Sequence, residues 1–305
     1  MTGAVIAIAL ATQMLLAAAT PEQKAIDYLT VEVPRWSKEN GCFSCHNNGD
    51  GARALYAAVQ RGYPIAKAPL ADTTRWLLAP GSWDDNRGEP GFSDKKLARI
   101  QFAAALAQAY AAGAISDRRA LIEAAQSLIP YQETDGSWLV DVGAVGSPAT
   151  YGTSLATYMA IRTLEKSDAG RFSKAISKAN QWFIVTSPRS VLSAAAALLA
   201  LPRTGSVAQR SLDLILPAQS SDGGWGPHPL TPSEPFDTAV VLLALHGLND
   251  PKRTDGPIAR GRAFLIARQL SGGGWPETTR PPGAQSYAQH ISTSGWATLA
   301  LILTR

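Results

Sequence analysis

Cysteine is nearly missing from this chain. Only two occur in 305 residues, and both sit in one short run, Cys42-Phe43-Ser44-Cys45-His46. No thiolate is therefore available to a site built from residues beyond position 45. Histidine is almost as scarce, with four, and beyond the first twenty residues the sole methionine is Met159. Charged side chains make up 17% of the chain, and its net charge of +4 comes from scattered residues. Basic runs are no longer than pairs such as Lys95-Lys96 and Arg118-Arg119. Without a basic stripe interleaved with aromatics, nucleic-acid binding is excluded as a working function. A β-rich segment is also lacking, which leaves helices as the building material.

The first nineteen residues carry no charged side chain. An apolar run from Ala4 to Leu16 leads into Ala17-Ala18-Ala19. That is the pattern of a secretory signal core and its small-residue cleavage site, and it is too short for a membrane span. Residues 1–19 are thus expected to be a signal peptide. Residues 20–305 are expected to be one exported, periplasmic or extracytoplasmic domain with no transmembrane span. The competing expectation is an N-terminal helix that packs on the body.

What is present is a large apolar fraction, 46%, and a repeat. Three segments run from a Gln that ends an apolar stretch to a Trp six residues on: Gln132 to Trp138, Gln219 to Trp225, and Gln269 to Trp275. Gly-Ser or Gly-Gly precedes each Trp, and a Pro/Gly-rich loop leads on to a strongly apolar helix. Weaker copies are marked by Trp83 and Ser187. The Cys42–His46 run occupies the first slot, where the later copies carry Gly-Gly-Trp. Recurrence at this scale is the mark of a repeat architecture. Twelve helices in six pairs predict an all-α, closed (α/α)6 toroid in a single domain, with an open solenoid as the alternative. The last helix is too apolar for an exposed end cap, which favours closure.

The Gln-x-x-x-Gly-Gly-Trp copies at 219–225 and 269–275 resemble the QW repeats of squalene–hopene cyclases. The overall plan resembles the terpenoid cyclase/protein prenyltransferase α/α-toroid superfamily. The resemblance implies that the helices at 52–61, 96–112, 151–164, 191–201, 236–248 and 291–303 form an inner ring around a cavity. Tyr151, Phe236, Asp237 and Trp296 would line it. Cyclases of that family use an Asp-x-Asp-Asp motif to protonate an alkene, and this chain has none. Asp84-Asp85 lies in a Gly/Asn/Arg-rich stretch and reads as a solvated turn. Asp237 is the catalytic candidate should the chain be a cyclase, against a role as a helix cap. The zinc ligands of protein prenyltransferases cannot be assembled without later cysteines.

The Cys42/Cys45/His46 spacing suits one haem c, held covalently by both thiols, with His46 as proximal iron ligand. His290 is the candidate distal ligand, with His228 in reserve and His246 read as core. Zinc, or a disulfide across the two thiols, are the other readings. The expected function is accordingly an exported c-type haem protein. It would serve electron transfer with a redox partner protein, or redox chemistry on a cavity-bound ligand. The alternative is a divergent terpene or isoprenoid cyclase, or a toroid that binds isoprenoid or other apolar small molecules. In that alternative the Cys-x-x-Cys-His run is a metal or redox staple.

Overall fold

A computed structural model describes residues 19–87, 95–140, 152–202, 204–248, 250–278 and 286–305. Among these residues every regular element is a helix. Six outer helices are α1 (Pro21–Asn40), α3 (Ala68–Leu77), α5 (Arg119–Leu128), α7 (Ser173–Val185), α9 (Ser206–Ile215) and α11 (Pro251–Arg268). Alternating with them are the inner helices α2 (Ala52–Gln60), α4 (Lys95–Ala111), α6 (Gly152–Asp168), α8 (Val191–Ala200), α10 (Pro235–His246) and α12 (Tyr287–Leu303). Each inner helix packs on the next, and α12 packs on α2. The ring is therefore closed, and the fold is the expected single-domain α/α toroid.

Composition separates the two layers. The inner α8 reads Val-Leu-Ser-Ala-Ala-Ala-Ala-Leu-Leu-Ala, and α12 is buried without a break from Ile291 to Ile302. A helix apolar or small on every side can only lie inside. Outer helices bury one side only, and the first of them is capped at both ends. In α1 the Thr20 hydroxyl accepts from the Gln23 N–H at 3.2 Å, and Pro21 takes the first-turn position where no N–H is needed. The helix stops at Gly41, whose left-handed φ of 65° lets its N–H reach Ser37 O. The last inner helix starts at Tyr287 rather than at 291, because the Ser286 hydroxyl caps it by accepting from Gln289 N–H at 3.3 Å. His290 consequently lies inside the first turn instead of at the helix entrance.

The repeated turns fasten the layers together. Each indole N–H donates to a carbonyl near the end of its own outer helix: Trp138 to Leu128 O, Trp225 to Ile215 O, and Trp275 to Leu265 O. Each Trp backbone N–H donates to a hydroxyl on the following inner helix, on Thr157, Thr238 and Ser294 in turn. The Gln side-chain amide reaches forward to the next outer helix, at Ala175 O, Pro257 O and, for Gln269, Pro21 O. That last bond ties the sixth unit to the first. Gly273 shows why the turn needs glycine. Its φ is 98°, and a Cβ there would sit 2.2 Å from Lys24 O of α1.

Candidate active site

In the first slot a different device replaces the tryptophan turn. A π-helix runs from Cys45 to Gly51 and feeds directly into α2. Five-residue hydrogen-bond spacing of this kind is rare and recurs at functional sites. Here it turns His46, Asn47, Asn48 and Asp50 inward, all of them buried. His46 Nδ1 and Ser292 Oγ of α12 share a hydrogen bond of 2.8 Å. Ser292 Oγ donates to Asp50 Oδ2 at 2.8 Å, and Gln101 Nε2 of α4 donates to the same oxygen at 2.8 Å. Asn48 Nδ2 donates to Thr73 Oγ1 of α3 and to Val33 O of α1, while Asn47 Nδ2 donates to Glu32 O and to Tyr287 OH. One short segment thus joins three inner and two outer helices. Burial lowers the His46 pKa to about 4, so the ring is neutral at ordinary pH.

The two thiols stay nearer the surface. Cys42 and Cys45 are half-buried and not joined in a disulfide, and Trp36 Nε1 donates to Cys42 Sγ at 3.4 Å. His290 faces another way. Its ring meets Tyr28 of α1 edge-on at 5.9 Å, and its Nδ1 lies 3.6 Å from Glu277 Oε2. His46 and His290 therefore engage different partners, on α12 and on α1. His228 sits in an exposed loop turn held by Thr231. No group of three or more His, Cys, Asp or Glu that could hold a metal occurs among the described residues.

A second cluster lies in the ring interior. Arg53 of α2 reaches Met159 of α6, two inner helices away, with Nη1 donating to the thioether. The Arg53 guanidinium carbon stands 3.9 Å from the centre of the Trp296 ring on α12. Trp296 in turn meets Phe236 of α10 at 5.8 Å, tilted by 60°. Residues of α2, α6, α10 and α12 so converge across the ring. The repeat register agrees, because Met159 and Trp296 each stand two residues beyond the hydroxyl that receives a turn tryptophan (Thr157 and Ser294). Asp237 immediately precedes its own such hydroxyl, Thr238, and has 0% exposure. It is not the helix cap, a position held by Glu234, but lies in the first turn of α10. Tyr151 lies outside the described residues, as does nearly all of the expected signal segment. No helix among the described residues is long and apolar enough to cross a membrane.

Sequence reasoning missed Arg53 and Asp50. The signal for Arg53 was a single cation inside the otherwise apolar stretch at 52–59. Asp50 was disguised by its Asn-Asn-Gly-Asp-Gly surroundings, which read as an ordinary turn.

Comparison with known proteins places the architecture. An ent-copalyl diphosphate synthase from Streptomyces platensis superposes with a TM-score of 0.56 at 20% identity, over 83% of this chain and 50% of that one. A variant of the type II terpene cyclase MstE from Scytonema, solved with geranylgeranyl dihydroxybenzoate as substrate, gives 0.57 at 12% identity. That match covers 93% of this chain and 97% of the other. In sequence, 69 residues are 39% identical to a drimenyl diphosphate synthase of Streptomyces showdoensis, 22% of this chain and 13% of that protein. The chain thus spans about half of the first of these structures and a small part of the sequence relative. No family model matches the chain.

These findings overturn the expectation of a haem-based electron-transfer protein, since the similar proteins are terpene cyclases and synthases. The packing gives the physical reason. His46 is a buried link between π-helix and α12. The segment around it is closed by contacts that leave a Cβ on Gly49 3.0 Å from Gln101 Cβ, and one on Gly51 3.1 Å from Val33 Cγ2. Its histidine serves the ring's closure.

Proposed function

We propose that this chain binds an isoprenoid in the ring interior and cyclises it by proton donation from Asp237. Asp237 itself carries the reading: a fully buried carboxyl in the first turn of an inner helix, one position after Phe236, which itself meets Trp296. Proton donation requires this carboxyl to carry its proton when the alkene meets it. The similar proteins are named for isoprenoid chemistry, as drimenyl and ent-copalyl diphosphate synthases and as a cyclase solved with a geranylgeranyl substrate.

The step balances without a cofactor. The Asp237 proton adds to one alkene carbon, forming a C–H bond from the π pair and leaving the adjacent carbon cationic. A second alkene of the same molecule attacks that carbon and closes a ring, which moves the charge along the chain. The last cation loses a proton to water, and Asp237 regains one from solvent. The faces of aromatic rings stabilise such cations through their quadrupoles, a role open to Phe236. A single carboxyl stands here where the resembling cyclases use an Asp-x-Asp-Asp cluster. The Cys42–His46 run is the staple of the first turn, with its two thiols left for a metal or redox role at the rim.

Incubating the chain with geranylgeranyl diphosphate, then analysing dephosphorylated extracts by gas chromatography and mass spectrometry, tests this. Wild type is expected to yield cyclic products, and Asp237→Asn to make them about 100-fold more slowly or worse. Absence of cyclic product from wild type, or full-rate cyclisation by the variant, would overturn the proposal.

A further inference from the structure

Arg53 is 8% exposed, and its guanidinium brings a positive charge and five N–H donors inside the protein. Buried charges are normally paired, because leaving one unpaired is costly. The partners of this one are the Met159 thioether, a weak acceptor, and the Trp296 face. Its Nε and Nη2 have no hydrogen-bond partner, and no ion pair to it occurs among the described residues. Those two nitrogens share one edge of the guanidinium plane. Their N–H bonds run side by side, the fork that matches two oxygens of a carboxylate or phosphate. Stacking on Trp296 and the contact with Met159 fix the plane.

We propose that this edge of Arg53 is an anion subsite that takes the carboxylate or phosphate headgroup of the ligand. The inference rests on the isoprenoid reading for the apolar tail. Trp296 carries the Arg53 guanidinium on its face and has Phe236 beside its ring. An anion at Arg53 would thus fix one end of a long alkene chain in the ring interior.

Calorimetric titration of the full chain with geranylgeranyl diphosphate, geranylgeranoic acid and geranylgeraniol tests the subsite. Wild type is expected to bind an anion about 10- to 100-fold more tightly than the alcohol. The stronger of the two anions identifies the headgroup. Arg53→Gln should abolish the preference, and Arg53→Lys should keep part of it. A preference that persists in Arg53→Gln, or is missing from wild type, would overturn the inference.

Should none of the three prenyl compounds bind, the isoprenoid reading fails. The subsite is then judged by quenching of tryptophan fluorescence with inorganic pyrophosphate. A response in wild type that Arg53→Gln lacks upholds it, and no response in wild type overturns it. Arg53→Met gives a check that needs no ligand. Replacing an unpaired buried charge with an apolar chain of similar length should raise the melting temperature, whereas a lower one would mean that the charge has an internal partner.

Discussion

At Trp138, Trp225 and Trp275 an indole fills the joint between outer and inner helix, and its single N–H is satisfied by a carbonyl nearby in sequence. At Cys42–His46 the same joint is filled by a π-helix and a chain of polar groups, His46 to Ser292 to Asp50 to Gln101, drawn from that π-helix and two inner helices. The first design depends on apolar area and is indifferent to pH. The second depends on buried hydrogen bonds around a histidine that burial keeps neutral. One ring is therefore closed by two kinds of joint, and they should fail under different conditions.

The largest effect is expected at the apolar joint that also closes the ring. Trp275→Ala empties a fully buried site and should cost about 3–5 kcal/mol in urea unfolding. A loss below about 1 kcal/mol would show that the turn is not a structural joint.

The polar joint should respond to acid. In the folded chain His46 has a pKa of about 4 against its ordinary value of 6.5, so the unfolded chain binds the extra proton first. Its contribution is complete above about pH 6.5 and falls away as pH drops to about 4. At about 1.4 kcal/mol for each pH unit between those two values, the loss is about 3 kcal/mol. The measure is the difference in acid slope between wild type and His46→Gln, which cancels the other titrating groups. Equal slopes would place His46 in contact with water.

A smaller effect is expected from the Gln staples. Gln269→Ala removes two bonds of 2.9 Å, to Pro21 O and Gly273 O, and should cost about 1–2 kcal/mol. Hydrogen exchange should locate the loosening at the start of α1. The smallest belongs to Cys42→Ser. The Trp36 indole N–H keeps an acceptor there, and stability should change by less than about 0.5 kcal/mol.

How far the sequence showed all this follows from the same contrast. The tryptophan joints are local: Gln, Gly and Trp recur at fixed spacing because each turn's bonds fall within a few residues or on the adjacent helix. Repeat number, helix order and ring closure were readable from them. Phe236, Asp237 and Trp296 drew notice in the sequence because each lies on a conspicuously apolar helix. The polar joint is not local. The spacing of Cys42, Cys45 and His46 suggests haem whatever the histidine packs against, and the contact that His46 makes lies 246 positions away at Ser292. Arg53 was hidden for the same reason, since its partners Met159 and Trp296 come together only in the closed ring.

The central claim is that Asp237 starts a cyclisation in the ring interior, and it is tested most directly by running the reaction with a prenyl substrate in deuterium oxide. One deuterium at the carbon first protonated is the predicted outcome for wild type, with label and product both lost in Asp237→Asn. Cyclic product without deuterium, or labelled product made equally well by the variant, would contradict it.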